Sequence, residues 1–254
     1  MNTSHCSPRW PLLLLVGLLA NWHAVAAPDP DDEFHETYPL AKDGRVQLDN
    51  LNGDVRVVTW DRQEVKVDAR KRAKQPELLE QVQIEVDASP DRVRIKTRYP
   101  EGHQSKGQQA SVDYTLTVPR QCRLDGIKNV NGNVRIEAVN GEIKASTVNG
   151  KLEATQLADE ADLSSVNGPL RASFASLKGG VSLKTVNGPL TLGLPADADA
   201  TVKASTVNGS IHTDFPLEVK GHAPVGRNLD GKLGQGTARI KMSSVNGPIK
   251  LVKE

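Results

Sequence analysis

Thr147-Val148-Asn149-Gly150-Lys151-Leu152 returns as Ser165-Val166-Asn167-Gly168-Pro169-Leu170, as Thr185-Val186-Asn187-Gly188-Pro189-Leu190, as Thr206-Val207-Asn208-Gly209-Ser210-Ile211 and as Ser244-Val245-Asn246-Gly247-Pro248-Ile249. Two further copies, Val130-Asn131-Gly132 and Val139-Asn140-Gly141, precede them, and Leu51-Asn52-Gly53 is an upstream relative. With Asn140 set aside, the steps from Asn131 to Asn246 are 18, 18, 20, 21 and 38 residues. Leu229-Asp230-Gly231-Lys232-Leu233 matches Val148–Leu152 and divides the longest step, so the period is about 18–22 residues. Asn140 then marks a half-period turn. Its counterparts are Asp159-Glu160, Gly179-Gly180 and Asp197-Ala198-Asp199, all turn-prone.

Each period holds two strands. Small or apolar side chains stand two, four and six residues before the asparagine, as in Thr185, Leu183 and Val181, with Lys184 and Ser182 between them. The residue three after each asparagine is aliphatic: Val134, Ile143, Leu152, Leu170, Leu190, Ile211 and Ile249. Period-two alternation describes a half-buried strand, and Asn-Gly suits a tight reversal. A meander of hairpins would tolerate this spacing but gives no reason for one tripeptide to return every second turn. A β-solenoid does, with the tripeptide stacked along one corner. The expected fold is therefore all-β, a solenoid of about six coils over residues 121–254, with strands about 4.8 Å apart.

Residues 34–120 lack the tight repeat but read as strands at Arg45–Asp49, Asp54–Trp60, Glu64–Lys71, Gln81–Asp87, Asp91–Tyr99 and Ser111–Val118, with a helical turn at Gln75–Glu80. This region is expected to begin the sheet and cap the first coil. Residues 27–33 read as an acidic linker. Residues 1–26 read as a secretory signal: Arg9, the apolar run Trp10–Ala20, then Ala24-Val25-Ala26 as the cleavage site. The alternative is an N-terminal anchor. Cleavage leaves 31 positive and 31 negative side chains, Trp60 as the sole tryptophan and Cys122 as the sole cysteine, which excludes an intramolecular disulfide. Balanced charge argues against a nucleic-acid partner. Aromatics are 4% of the chain, which suits a thin interior filled with Val, Ile, Leu and Ala.

Sites of chemistry are sparse. His35, His103, His212 and His222 lack metal-ligand spacing, so no metal or other cofactor is expected. Gly231, Gly234 and Gly236 lack the Lys-Ser/Thr of a phosphate loop. The acidic clusters, Asp159, Glu160 and Asp162 among them, read as solvated turns in preference to calcium ligands. Cys122 reads as a small buried apolar group. The Asn-Gly pairs at Asn52-Gly53, Asn131-Gly132, Asn140-Gly141, Asn149-Gly150, Asn167-Gly168, Asn187-Gly188, Asn208-Gly209 and Asn246-Gly247 are structural turns, and their asparagines could form a hydrogen-bonded ladder. The candidate ligand face is the outward column of Lys144, Ser182, Lys203 and Lys241, interrupted by Asp162. Such a face suits an anionic glycan or a protein partner, although charges on strands also serve solubility.

These features together resemble a bacterial secreted family of unknown function labelled "putative adhesin". The resemblance rests on Leu51-Asn52-Gly53-Asp54-Val55, the run Val112–Pro119, the serial Thr/Ser-Val-Asn-Gly and the final Ser244–Ile249. It extends over about residues 34–254, including Asp214-Phe215-Pro216 and the glycines after it. It implies a β-solenoid of the bacterial envelope and supplies no catalytic residues. The expected function is an exported, non-enzymatic binding or scaffolding protein, periplasmic or at the cell surface, with an envelope polysaccharide or protein as partner. The alternatives are a β-helical polysaccharide lyase and a structural protein self-associating through its last strand.

Overall fold

The computed structural model describes residues 31–100, 110–221 and 226–254. The signal segment, residues 27–30 of the linker, His103 and His222 lie outside the described residues. In chain order the first half comprises β1 (Asp31–Pro39), β2 (Arg45–Asp49), β3 (Val55–Trp60), β4 (Glu64–Ala73), α1 (Pro76–Gln81), β5 (Gln83–Ser89), β6 (Arg92–Arg98) and β7 (Ala110–Pro119). The repeat half continues with β8 (Arg123–Asn131), β9 (Val134–Glu137), β10 (Ile143–Asn149), β11 (Leu152–Leu157), β12 (Ala161–Asn167), β13 (Leu170–Phe174), β14 (Val181–Asn187) and β15 (Leu190–Leu194). Then come β16 (Ala200–Asn208), β17 (Ile211–Thr213), β18 (Val219–Gly221), β19 (Arg227–Leu233), β20 (Ala238–Asn246) and β21 (Ile249–Lys253).

These strands form two sheets, of ten and eleven strands, whose central members all run parallel. Each rung of this solenoid-like stack contributes one strand to either sheet, and in every rung but β6–β7 an Asn-Gly corner joins the two. In space the rungs follow the order β6–β7, β2–β3, β8–β9, β10–β11, β12–β13, β14–β15, β20–β21, β16–β17. Residues facing inward at every second position fill the space between the sheets. The aliphatic position three after each asparagine is buried on every rung, from Val134 and Ile143 to Leu190 and Ile249. Among the described residues the buried aromatic rings are Tyr114, Phe174 and Phe215, with Phe34, Tyr38 and Tyr99 packed against the core from its margin.

Parallel, in-register pairing decides against the hairpin meander. Asn149 pairs with both Asn131 and Asn167, and Asn187 with both Asn167 and Asn246. On the rungs from Gly132 onward, the glycine after the corner asparagine sits where a Cβ would be driven into the carbonyl oxygen of the glycine one rung away, as Gly168 would meet Gly150; Gly53 would meet the Val112 carbonyl instead. The corner glycine N–H donates to the asparagine carbonyl of the next rung, as Gly168 N to Asn187 O at 2.9 Å. The asparagine side chains form a continuous ladder: Asn131 Nδ2 to Asn52 Oδ1, Asn149 to Asn131, Asn167 to Asn149, Asn187 to Asn167, Asn246 to Asn187 and Asn208 to Asn246, all 2.8–2.9 Å. Asn140 is outside it, in the turn between β9 and β10.

A second, shorter ladder lies two residues on. Asp113 Oδ1 accepts the Asp54 N–H at 2.9 Å, Asp54 Oδ1 the Asn133 N–H at 2.8 Å, and Asn133 Oδ1 the Lys151 N–H at 3.0 Å. A lysine ammonium has no acceptor to continue the series. The next rungs place Pro169, Pro189 and Pro248 here, which have no N–H to satisfy.

Four expectations are corrected. Asp31–Glu33 are not linker: they begin β1, which pairs antiparallel with β4, and Asp31 and Asp32 meet Arg70 and Lys71. Residues 34–120 do more than cap, because β2–β3 and β6–β7 are full rungs and β2 pairs directly with β8. The Leu229–Leu233 copy is not a coil. It belongs to β19, antiparallel to β16, since its Asp-Gly lacks the corner that would send the chain into the other sheet. The last strand is no free edge either: β21 pairs with β15 on one side and β17 on the other. The true edges are β1 and β17 of one sheet and β5 and β18 of the other.

Candidate functional site

The outward row expected from the sequence is one straight row of the eleven-stranded sheet. Lys144 is in register with Asp162, Asp162 with Ser182, Ser182 with Lys241, and Lys241 with Lys203. Asp125 flanks the row at the Lys144 end and Asp230 at the Lys203 end. The charges are largely matched. Lys144 Nζ lies 2.8 Å from Glu142 and 3.6 Å from Asp125, and the Glu142 carboxylate raises its pKa. Lys203 lies 3.6 Å from Asp230, and Asp162 lies 3.9 Å from Lys184. The row beside it is Lys128, Ser146, Ser164, Lys184, Ser243 and Ser205. Where the two rows meet, a bulge at Gly126 (φ 131°) opens a hollow of about 170 Å³ lined by Lys128, Lys144, Asp162 and the two nearer serines. Each contact here is a surface ion pair of small worth, so the row offers exchangeable partners to a polar ligand.

The ten-stranded sheet carries a second row that the sequence reading missed. Arg56, Arg135, Glu153, Arg171, Thr191, Lys250 and His212 are in register along it. The signal was available: each stands four residues after a corner asparagine, and four of the seven are permanent cations. Around Arg56, Arg135 and Glu153 lies a groove of about 430 Å³, bounded by Asp54, Asp113, Asn133 and Lys151. Arg135 lies 3.0 Å and Lys151 2.8 Å from Glu153. The Lys151 hydrogen bond, aided by Arg135, holds the Glu153 carboxyl below its usual range. A general acid needs the opposite shift. Asp54 and Asp113 accept backbone N–H groups from neighbouring rungs, which gives them a structural task. This arrangement can bind a polar ligand, and Glu153 is not poised as a general acid.

The remaining candidates are structural. Cys122 is fully buried, and burial pushes its thiol up to about 12, which suppresses the reactive thiolate. Asn50, Thr97, Tyr99 and Tyr114 hydrogen-bond one another beneath the Asn52 end of the ladder, with Tyr114 Oη 2.7 Å and Asn50 Oδ1 3.1 Å from Thr97 Oγ1. Burial raises the phenols of both tyrosines, Tyr114 to about 12. Among the described residues no group of three or more His, Cys, Asp or Glu side chains converges, and no helix is long and apolar enough to cross a membrane.

The family model Toastrack DUF4097 matches residues 41–252. The chain belongs to the Toastrack family. The matched span runs from the approach to β2 into β21, so it takes in all eight rungs. No curated protein matches the sequence. The crystal structure of a "putative cell adhesion protein" from Clostridium sporogenes is similar, with 12% identity, 89% of this chain and 100% of that chain covered, and a TM-score of 0.52. A "putative adhesin" from Bacteroides fragilis gives 10% identity, 87% and 97% coverage and a TM-score of 0.32. A "putative lipid binding protein" from Parabacteroides distasonis gives 10%, 87% and 96%, and 0.32. At such identities the likeness to the first concerns the fold alone.

Proposed function

We propose that this Toastrack protein is an exported β-solenoid of the bacterial cell envelope whose role is adhesin-like binding or scaffolding, without catalysis. The observation that carries this reading is the register of the stack. It turns side chains far apart in sequence, such as Lys144, Ser182, Lys203 and Lys241, into one straight row on a flat sheet face. A row at the spacing of the strands suits an extended polymer, which gathers many weak contacts at once. Export is supported by the apolar run and small-residue cleavage site within residues 1–26. An adhesion role agrees with the description of the Clostridium sporogenes protein. The partner we favour is an envelope polysaccharide or an envelope protein.

The test is retention of envelope fractions on the immobilised chain, wild type against the variant with Lys144, Ser182, Lys203 and Lys241 all changed to Ala. Loss of a polysaccharide or protein band with an unchanged melting temperature supports the face. Unaltered retention removes it. Release of unsaturated sugar products from acidic polysaccharides would overturn the non-enzymatic reading.

A further inference from the structure

Among the described residues, the exposed large apolar side chains are five valines: Val148, Val166, Val186, Val245 and Val207. All belong to the Val-Asn-Gly corner, and they occupy five adjacent rungs. They therefore form one line up the stack. Their exposure is 36–42% within the line and 50% at Val207, on the last rung. Neighbours shield one another, and the rest of each side chain faces solvent. A parallel line of Pro169, Pro189 and Pro248 runs on the far side of the asparagine ladder. Over those three rungs the corner holds no charged residue, in a chain that is 25% charged. Apolar exposure gathered in one place and cleared of charge is what the centre of an interface looks like.

We propose that this corner packs against the same corner of a second copy, in a weak antiparallel dimer. The repeat chooses the occupant. Every feature of the corner recurs at about 4.8 Å, and another stack of β rungs recurs at that same spacing. The valines of one copy can therefore seat between those of the other along the whole line, as in a zipper. With the two-fold axis perpendicular to the stack, each line meets its own counterpart: valine on valine, proline on proline, ladder on ladder. Beyond its ladder bonds, each asparagine amide keeps one N–H and one lone pair for a partner across the axis. Over the three proline rungs neutral meets neutral, so no ion is stripped of water there; the one charged corner residue of the valine line, Lys151, lies on its end rung. The strip is only one corner wide and falls short of the ~800 Å² per partner of a standard interface, so the dimer exchanges rapidly.

Sedimentation of the exported chain, residues 27–254, from about 10 μM to about 1 mM tests this, with an expected Kd of about 0.1–1 mM. The double variant Val186→Lys/Val245→Lys should stay monomeric across that range. In a second measurement, Val186→Cys, near the centre of the strip, should form a symmetric disulfide on oxidation much faster than Lys203→Cys on the sheet face. That comparison decides the matter even where the lysine variant folds poorly. A wild-type chain that stays monomeric, a dimer that survives both lysines, or equal cross-linking of the two cysteines overturns the proposal.

Discussion

The two long edges of the stack obey different rules. Along the Asn-Gly corner, rung after rung repeats the same residues. Along the opposite edge the turns range from three residues between β11 and β12 to six between β13 and β14, with no shared motif. At the corner, from Gly132 onward, the glycine Cα lies against the carbonyl of the glycine one rung away, while its N–H and the asparagine amide bond to the adjacent rung, as at Gly168 and Asn167. The opposite edge is uneven: a Cβ at Gly141 would meet the Cys122 carbonyl oxygen at 2.3 Å, whereas the nearest foreign atom to one at Gly180 would be 3.7 Å away. The repeat is thus enforced where every rung meets its neighbour in the same way, and sequence drifts where the contact changes from turn to turn.

The sharpest way to break this comparison is a single methyl group at each edge. Gly168→Ala puts a Cβ into the Gly150 carbonyl at a φ of 151°. Neither neighbouring rung can retreat without parting the ladder, so a loss upwards of ~4 kcal/mol is expected, enough to prevent folding of a marginal domain. Gly180→Ala should stay within about 1 kcal/mol of wild type. Urea unfolding of both variants checks the pair, and equal losses would refute the distinction.

A milder change isolates the ladder itself. Asn187 both donates to Asn167 and accepts from Asn246, whereas Asn208, at the end of the ladder, donates to Asn246 alone. Asn187→Ala should cost about 1–2 kcal/mol and Asn208→Ala about half of that, at ~1 kcal/mol per net hydrogen bond. Asn140→Ala, outside the ladder, should cost less than either. Thermal melts of the three variants would show the order, and a flat series would mean that the ladder contributes nothing beyond packing.

The corner was legible in the sequence because its constraint is local: Val-Asn-Gly and the alternation around it name the turn, the inward face and the period without long-range information. The order of the rungs was not. Residues 238–254 lie between rungs 181–194 and 200–213, and nothing in a repeat whose corners are chemically alike says which neighbour each will take. β19 misled for a related reason, since Leu229–Leu233 copies the apolar spacing of a coil while its antiparallel pairing is decided by β16. Of the candidate site, the Lys144 row was legible from spacing before the asparagine. The Arg56–Arg135–Arg171 row follows the turn, where Val134, Leu152 and Leu170 had been read only as the aliphatic position.

The charged cap and the uncharged corner should also part under pH and salt. In β1, His35 Nδ1 is 2.7 Å from Asp68 and Nε2 is 3.1 Å from Glu33, and Lys66 is 2.9 Å from Asp68. The Asp68 bond, then the Glu33 bond, raise the His35 pKa, so this contribution is present below the usual histidine range and is lost as pH rises through the raised value. Burial alone would push Asp68 up, but the Lys66 and His35 bonds outweigh it and hold it down. Its contribution is present above the usual carboxylate range and is lost in acid. Docking of β1 on β4 should therefore be firmest near about pH 5 and looser near about pH 8. Hydrogen exchange, corrected for the intrinsic rate, should show the change at the β1 amides and none at the corner N–H of Gly188. Salt should weaken only the first. Equal protection of β1 at the two pH values would discard this role for His35.

The smallest expected effect distinguishes Asn140 from its ladder relatives by chemistry and leaves stability untouched. In an Asn-Gly pair the glycine nitrogen can attack the asparagine side-chain carbonyl carbon, expelling ammonia and forming a succinimide that hydrolyses to aspartate or isoaspartate. The attack needs a freely turning amide and an available nitrogen. At the corner both are committed: Asn167 Nδ2 is held by Asn149 at 2.9 Å, and the Gly168 nitrogen donates to Asn187 O at 2.9 Å. Asn140 belongs to the same dipeptide but to the other edge, with no ladder bond to hold its amide. On ageing the folded chain in mildly alkaline buffer, peptide mass spectrometry should therefore find conversion first at Asn140 and much later at Asn149, Asn167 and Asn187. Unfolding the chain should erase the difference, because the dipeptide is then the same at every site. Equal rates in the folded state would mean that the corner opens often enough to expose its amides, and the rigidity inferred from the stacked glycines would have to be given up.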